Sequence, residues 1–132
     1  MYLVDASAWV TLVESKGAHR DAITSLIRER GHSLGALDLT LYEVGNAVGV
    51  KQGNADEASR VIRLIHRCCR DRILAVDPEL LDSALGHAVE HGLTAYDAAY
   101  VAAARRFGLT LVSTDIADLV SKGLAITPDA AV

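Results

Sequence analysis

The nine residues Met1-Tyr2-Leu3-Val4-Asp5-Ala6-Ser7-Ala8-Trp9 decide how the rest of the chain is read. Tyr2, Leu3 and Val4 suit a buried strand, and Asp5 interrupts that run just where helical spacing begins at Ala8, Trp9, Leu12 and Val13. An acid therefore sits on a turn from strand to helix. In an open parallel sheet that turn lies on the carboxyl edge, where ligands bind.

Working outward, the first helix is expected to run to about Ser15, and a second spans about His19 to Arg30, ended by Gly31. A short strand at Ser33 to Leu37 precedes a helix from Asp38 to Lys51. The next helix, capped by Asn54 or Asp56, continues to about Asp71. Ile73 to Val76 reads as a strand, and Asp77-Pro78-Glu79 opens a helix that ends near His91-Gly92. A helix of small residues from Ala95 to Phe107, a strand at Leu109 to Val112, a short helix from Asp115 to Ser121 and a last strand at Leu124 to Ile126 complete the order. Connections this long exclude hairpins, so the pattern predicts a parallel sheet sandwiched between helices.

The chain has 132 residues and only two prolines, without a linker or low-complexity tract, and a single domain over 1–132 is expected. No apolar run approaches the roughly 20 residues of a membrane span, and the N-terminus lacks a signal-peptide pattern. These features, with adjacent Cys68 and Cys69 read as reduced structural residues, predict a cytosolic protein.

Four acids stand out: Asp5, Glu43, Asp97 and Asp115, with Asp118 one turn beyond the last. Each also has an ordinary explanation. Thr40-x-x-Glu43 has the pattern of a capping box, Thr94-x-x-Asp97 a weaker version of it, and Asp115 is placed to cap the helix it opens. Asp97 fits capping least well, because it lies among Ala95, Tyr96, Ala98, Ala99 and Tyr100 with no Lys or Arg within one helical turn. If the acids converge, two carboxylates ~4 Å apart repel by about 4 kcal/mol at an effective dielectric near 20, so a proton or a cation must join them. Oxygen-only ligation suits Mg²⁺ or Mn²⁺, and hence phosphate chemistry.

Val4-Asp-Ala-Ser-Ala8, Tyr42-Glu-Val-Gly-Asn46, Thr94-Ala-Tyr-Asp-Ala-Ala-Tyr100 and Leu111-Val-Ser-Thr-Asp115 together resemble a PIN domain, specifically the VapC-type toxins of toxin–antitoxin pairs. The resemblance covers the whole chain in length and order. It implies an α/β fold, a three-layer α/β/α sandwich whose five-stranded parallel sheet has the order 3-2-1-4-5. The strand order then reverses between the strands ending at Asp5 and Asp115, which is where such sheets bind ligands. The resemblance further implies that Asp5, Glu43, Asp97 and Asp115 are catalytic and metal-binding, with Asp118 an additional metal ligand. Ser7 and Thr114 match hydroxyl positions that orient acids or water. The implied activity is Mg²⁺-dependent endoribonuclease action on RNA (Mn²⁺ as an alternative ion), leaving a 5′-phosphate and a 3′-hydroxyl. The implied partners are an RNA substrate, a cognate VapB-type antitoxin and a second copy of the chain, with no membrane.

The formal net charge of −4 looks unfavourable to RNA, but removing the five proposed site acids from 17 leaves 12 against 13 basic residues. Arg60, Arg63, Arg67 and Arg70 recur on one helical face and read either as a solvated face or as an RNA-binding stripe. His87 and His91, four apart without an apparent third ligand, read as an exposed helix face, and Arg105-Arg106 as charges complementing a helix end. Trp9, Tyr96 and Tyr100 read as core, and Val10, Val13, Leu39 and Tyr42 as a partner surface. Alternatives are a PIN nuclease in RNA processing without an antitoxin, a non-catalytic interaction module, and a phosphatase or phospho-acceptor, though a phosphatase nucleophile is usually followed two residues later by a second Asp, where this chain has Ser7.

Overall fold

The computed structural model describes all residues, 1–132. Strand β1 (Tyr2–Val4) leads into α1 (Ala6–Val10), which tightens into a 3₁₀ turn at Thr11–Val13. Helix α2 (Ala18–Arg30) and strand β2 (Leu34–Leu37) follow. Helix α3 (Asp38–Val44) widens into a π-helical continuation over Gly45–Lys51, and α4 (Ala55–Cys69) then runs to β3 (Ile73–Leu74). The hairpin α5 (Pro78–His91) and α6 (Ala95–Phe107) precedes β4 (Thr110–Val112), a π-helical turn at Ile116–Val120 and α7 (Pro128–Ala131).

The sheet is parallel with the order β3-β2-β1-β4. Side chains alternate across it, as a strand requires. Leu3 and its register partner Leu111 face a core shared with Leu37, Leu80, Ala84 and the Ala98–Ala104 run of α6. Val4 and Val112 face the opposite core, with Leu34, Ala36, Trp9, Ile23, Leu26, Val61, Ile65 and Cys69 from β2, α1, α2 and α4. Two helical layers thus enclose one sheet. Trp9 is fully buried, its Nε1–H donating to the Val4 carbonyl at 3.2 Å. Burial pushes the Cys69 thiol up to about 12 and raises Cys68 as well, as expected of inert, reduced cysteines.

Several expectations are corrected. The sheet has four strands, not five: the last segment contributes one parallel bridge, Val112 to Ile126, with Ile126 N–H donating to Leu111 O and Ser113 N–H to Ile126 O, both at 2.9 Å. Gly123, at φ 71°, turns the chain just before this segment and Pro128 starts α7 just after it, so there is no length for a second rung. Helix α7 itself is an addition, seating Ala131 in the core beside α2. Tyr96 is 59% exposed rather than core, whereas Trp9 and Tyr100 are buried. Val10, Val13 and Leu39 are half-buried and pack against the two cores, which leaves Tyr42 as the exposed member of the four. Arg106 reaches beyond its own helix end, lying 3.6 Å from Asp77 and 3.5 Å from Glu79 at the start of α5. No helix is long and apolar enough to cross a membrane.

Candidate active site

The strand order reverses between β1 and β4, and both strands deliver acids at their carboxyl ends. The Asp5 N–H donates to Val112 O at 3.0 Å, which stitches the two ends together. Asp5 caps α1 with extended backbone, its Oδ1 accepting from Ala8 N–H at 3.1 Å and from the Ser7 hydroxyl at 2.6 Å. Capping thus occupies one oxygen of a carboxylate that has two. Asp5 is only 4% exposed. Burial pushes its carboxyl up to about 6, against the opposing pull of hydrogen bonds from Ser113, Ser7 and the Ala8 amide, and the Asp97 charge adds to the rise.

Asp97, Asp115 and Asp118 each offer a carboxylate oxygen within 4.8 Å of the others. Asp115 Oδ1 accepts from Asp118 N–H at 3.0 Å and caps the π-helical turn, so here too capping and convergence coexist. The Asp97 backbone N–H, not its carboxylate, completes the cap with Thr94 Oγ1 at 3.1 Å. Half-burial raises the Asp97 carboxyl, and the Asp115 and Asp118 charges raise it further. This group is held together against its own repulsion.

Glu43 joins from α3 by a relay. The box pattern at Thr40 is corrected here: α3 starts three residues earlier than that reading needs, and Thr40 Oγ1 accepts from Leu37 N–H at 3.0 Å. Tyr100 Oη donates to Glu43 Oε1 at 2.8 Å, which commits its only proton. Thr40 must then donate to Tyr100 across their 2.8 Å contact. The Glu43 carboxyl is raised by burial and by the Asp5 and Asp97 charges, with the Tyr100 bond opposing. Tyr100→Phe is expected to lower the rate of any reaction in which Glu43 takes part by about tenfold, as loss of a supporting partner does, and to move the acid limb of its pH–rate profile upward. A pH–rate profile of the two proteins checks this.

Ser7 and Thr114 take different parts in the site. The Ser7 hydroxyl donates to Asp5 and accepts from the Thr114 backbone N–H at 3.1 Å, so Thr114 acts through its amide rather than its hydroxyl. Ser113, missed in the sequence, is fully buried, lies 3.2 Å from Ser7 Oγ and accepts from Asp115 N–H at 3.0 Å. Its only sequence signal is a hydroxyl at the strand end, shared with Thr114. The arginine stripe does not converge on the acids. Arg60 is held by Glu57 at 2.9 Å, and Arg67 and Arg70 gather with Arg72 beside His32, at the strand-start edge of the sheet opposite the acids.

The profile of the PIN domain matches residues 2–119. The chain belongs to the PIN-domain family. Two relatives come from Pyrobaculum aerophilum: Exonuclease VapC9, 40% identical over 116 residues (86% of this chain, 80% of the relative), and Ribonuclease VapC3, 34% identical over 119 residues (86% and 88%). A crystal structure of PAE2754 from the same organism is 38% identical, covers 98% of this chain and 84% of its own, and superposes with a TM-score of 0.71. The chain is thus a VapC-like PIN nuclease. PIN nucleases generally use a divalent metal, and the donors gathered here fit one: all are carboxylate oxygens, and burial, with the neighbouring carboxylate charges adding to it, raises Asp5, Glu43 and Asp97, a cost to their ionised forms that a hard cation offsets.

Proposed function

We propose that this PIN nuclease is a Mg²⁺-dependent endoribonuclease and the toxin of a type II toxin–antitoxin pair. The observation that carries the reading is the convergence of Asp97, Asp115 and Asp118 within 4.8 Å at the switch point of the sheet, with Asp5 and Glu43 close enough to feel the Asp97 charge. Asp5, Asp97 and Asp115 would hold the ion, with Asp118 as a more exposed further ligand. When bound, Mg²⁺ lowers the pKa of water and neutralises charge on the phosphoryl and leaving oxygens. Glu43, aimed by Tyr100 and with its proton affinity raised by burial, is positioned to take a proton from the attacking water. Ser7 and Ser113 fix the Asp5 carboxylate so that it need not reorganise during the reaction.

A partner surface adjoins this site. Leu39, Tyr42, Val76, Leu81, Tyr96 and Ala99 line an apolar groove, and Tyr42 is 79% exposed. An antitoxin segment or a second copy of the chain would cover that groove.

Because one relative is named an exonuclease and another a ribonuclease, the test uses a circular RNA beside its linear form. Cleavage of both in Mg²⁺, stopped by EDTA and leaving 5′-phosphate ends, is the expected result. Digestion confined to the linear RNA would replace the endonuclease reading with an exonuclease. Expression should arrest growth, relieved by the product of an adjacent small reading frame; growth without arrest would favour RNA processing without an antitoxin.

A further inference from the structure

Helix α5 ends in His87-Ala88-Val89-Glu90-His91, where positions i, i+3 and i+4 share one helical face. The structure corrects the reading of these histidines as an exposed pair without a third ligand. Both rings are half-buried, and Glu90 supplies a third donor: one nitrogen from each ring and one Glu90 oxygen lie within 4.8 Å of one another. Glu90 Oε2 is 3.8 Å from His91 Nε2, and the rings stack at 6.2 Å with only 16° between their planes.

A second observation is independent of that clustering. His87 Nδ1 and His91 Nε2 are sealed from solvent and have no hydrogen-bond partner. Buried polar atoms are rarely left unpaired, and the 3.8 Å approach of Glu90 to His91 Nε2 is too long to be a hydrogen bond. Lys122 does not fill the need, because its Nζ donates to the His91 carbonyl at 2.7 Å and lies 3.9 Å from Asp118 Oδ1. Lys122 therefore stands between this group and the acid cluster, and the two share no ligand.

We propose that His87, Glu90 and His91 form a second metal site, selective for a cation of the zinc class over Mg²⁺. Two imidazoles and one carboxylate are the donors that Zn²⁺, Co²⁺ and Ni²⁺ prefer, whereas Mg²⁺ favours oxygen alone. Three protein ligands leave a fourth position to water. Metal–nitrogen bonds of about 2.0–2.1 Å require the three donors to draw inward. The Glu90 side chain, 65% exposed, has the freedom to do so.

The test titrates the full chain, stripped of metal, with Zn²⁺ in excess Mg²⁺, and reads the visible absorption of the Co²⁺-loaded protein. One Zn²⁺ that Mg²⁺ does not displace is expected, and Asp97→Asn should leave it in place. His91→Ala or His87→Gln should weaken it by about 100-fold, at or beyond the loss seen when an outer-shell partner of a metal is removed, and should abolish the Co²⁺ band. Circular dichroism identifies whichever of the two His variants is folded. Absence of Zn²⁺ binding to the wild-type chain, binding unchanged in the folded His variant, or loss of Zn²⁺ in Asp97→Asn alone would each overturn the proposal.

Discussion

Asp97→Asn should reduce Mg²⁺-dependent RNA cleavage by about 10³-fold or more, equivalent to roughly 4 kcal/mol of transition-state stabilisation, while leaving the fold intact. The cap that starts α6 uses the Asp97 backbone N–H, which asparagine keeps. What the substitution removes is one of the three charges that meet within 4.8 Å, and with it much of the attraction that holds a divalent ion beside the RNA phosphate. In metal-free protein those same charges repel, and that repulsion adds to the rise that burial imposes on the Asp97 carboxyl. The variant should therefore melt no lower than wild type in EDTA, yet gain less than wild type when Mg²⁺ is added. Asp118→Asn is the graded control. Asp118 is exposed and already lies 3.9 Å from Lys122, so its loss should be the smaller. Single-turnover cleavage beside calorimetric melting measures both quantities. Retention of a tenth of wild-type activity by Asp97→Asn would remove the acid cluster from the chemistry.

What the sequence discloses depends on the range of the interaction that decides each element. The α5 and α6 boundaries are legible because local caps set them: Asp77 with Pro78, left-handed Gly92, Thr94 and left-handed Gly108. The final strand is not, since Leu124 to Ile126 looks like any short apolar run and only the turn at Gly123 and the start of α7 limit its pairing. The acids are legible by type and order, but their geometry is not. Tyr100 reaches Glu43 across 57 positions and Ser7 meets Ser113 across 106, contacts no local pattern announces. Thr40 misleads because a box signature fits the residue spacing while Asp38 already occupies the first turn of the helix. The opposition between capping and ligation also dissolves in three dimensions. Asp5 and Asp115 each cap with Oδ1, which uses one of the two oxygens that each carboxylate carries.

Asp5→Asn should stabilise the metal-free protein near pH 7 and bring almost no gain below pH 4, whereas in saturating Mg²⁺ the order should reverse. Burial lifts the Asp5 carboxyl to about 6 in the folded chain, from its ordinary 3.8. Between those values the folded state binds more protons than the unfolded one, so stability falls as pH rises through the window and stays low above it. Asparagine accepts the same bond from Ala8 N–H and is as good a cap, but carries no charge to desolvate. A shift of two units corresponds to about 3 kcal/mol at most, and for a chain of this size to roughly 6–12 °C in Tm. Mg²⁺ supplies the counter-charge that burial denies the ionised carboxylate, so wild type should recover stability on adding the ion, while the variant, lacking that ligand, should respond weakly. Asp97 and Glu43 are shifted the same way and steepen the curves of both proteins, and because Asp5 is coupled to both acids through its charge, the difference between the two melting curves reads Asp5 together with that coupling. A gap between the proteins that stayed constant from pH 4 to pH 7 in chelator would mean that Asp5 does not hold a strained charge, and the reversal in Mg²⁺ would then have no source at that residue.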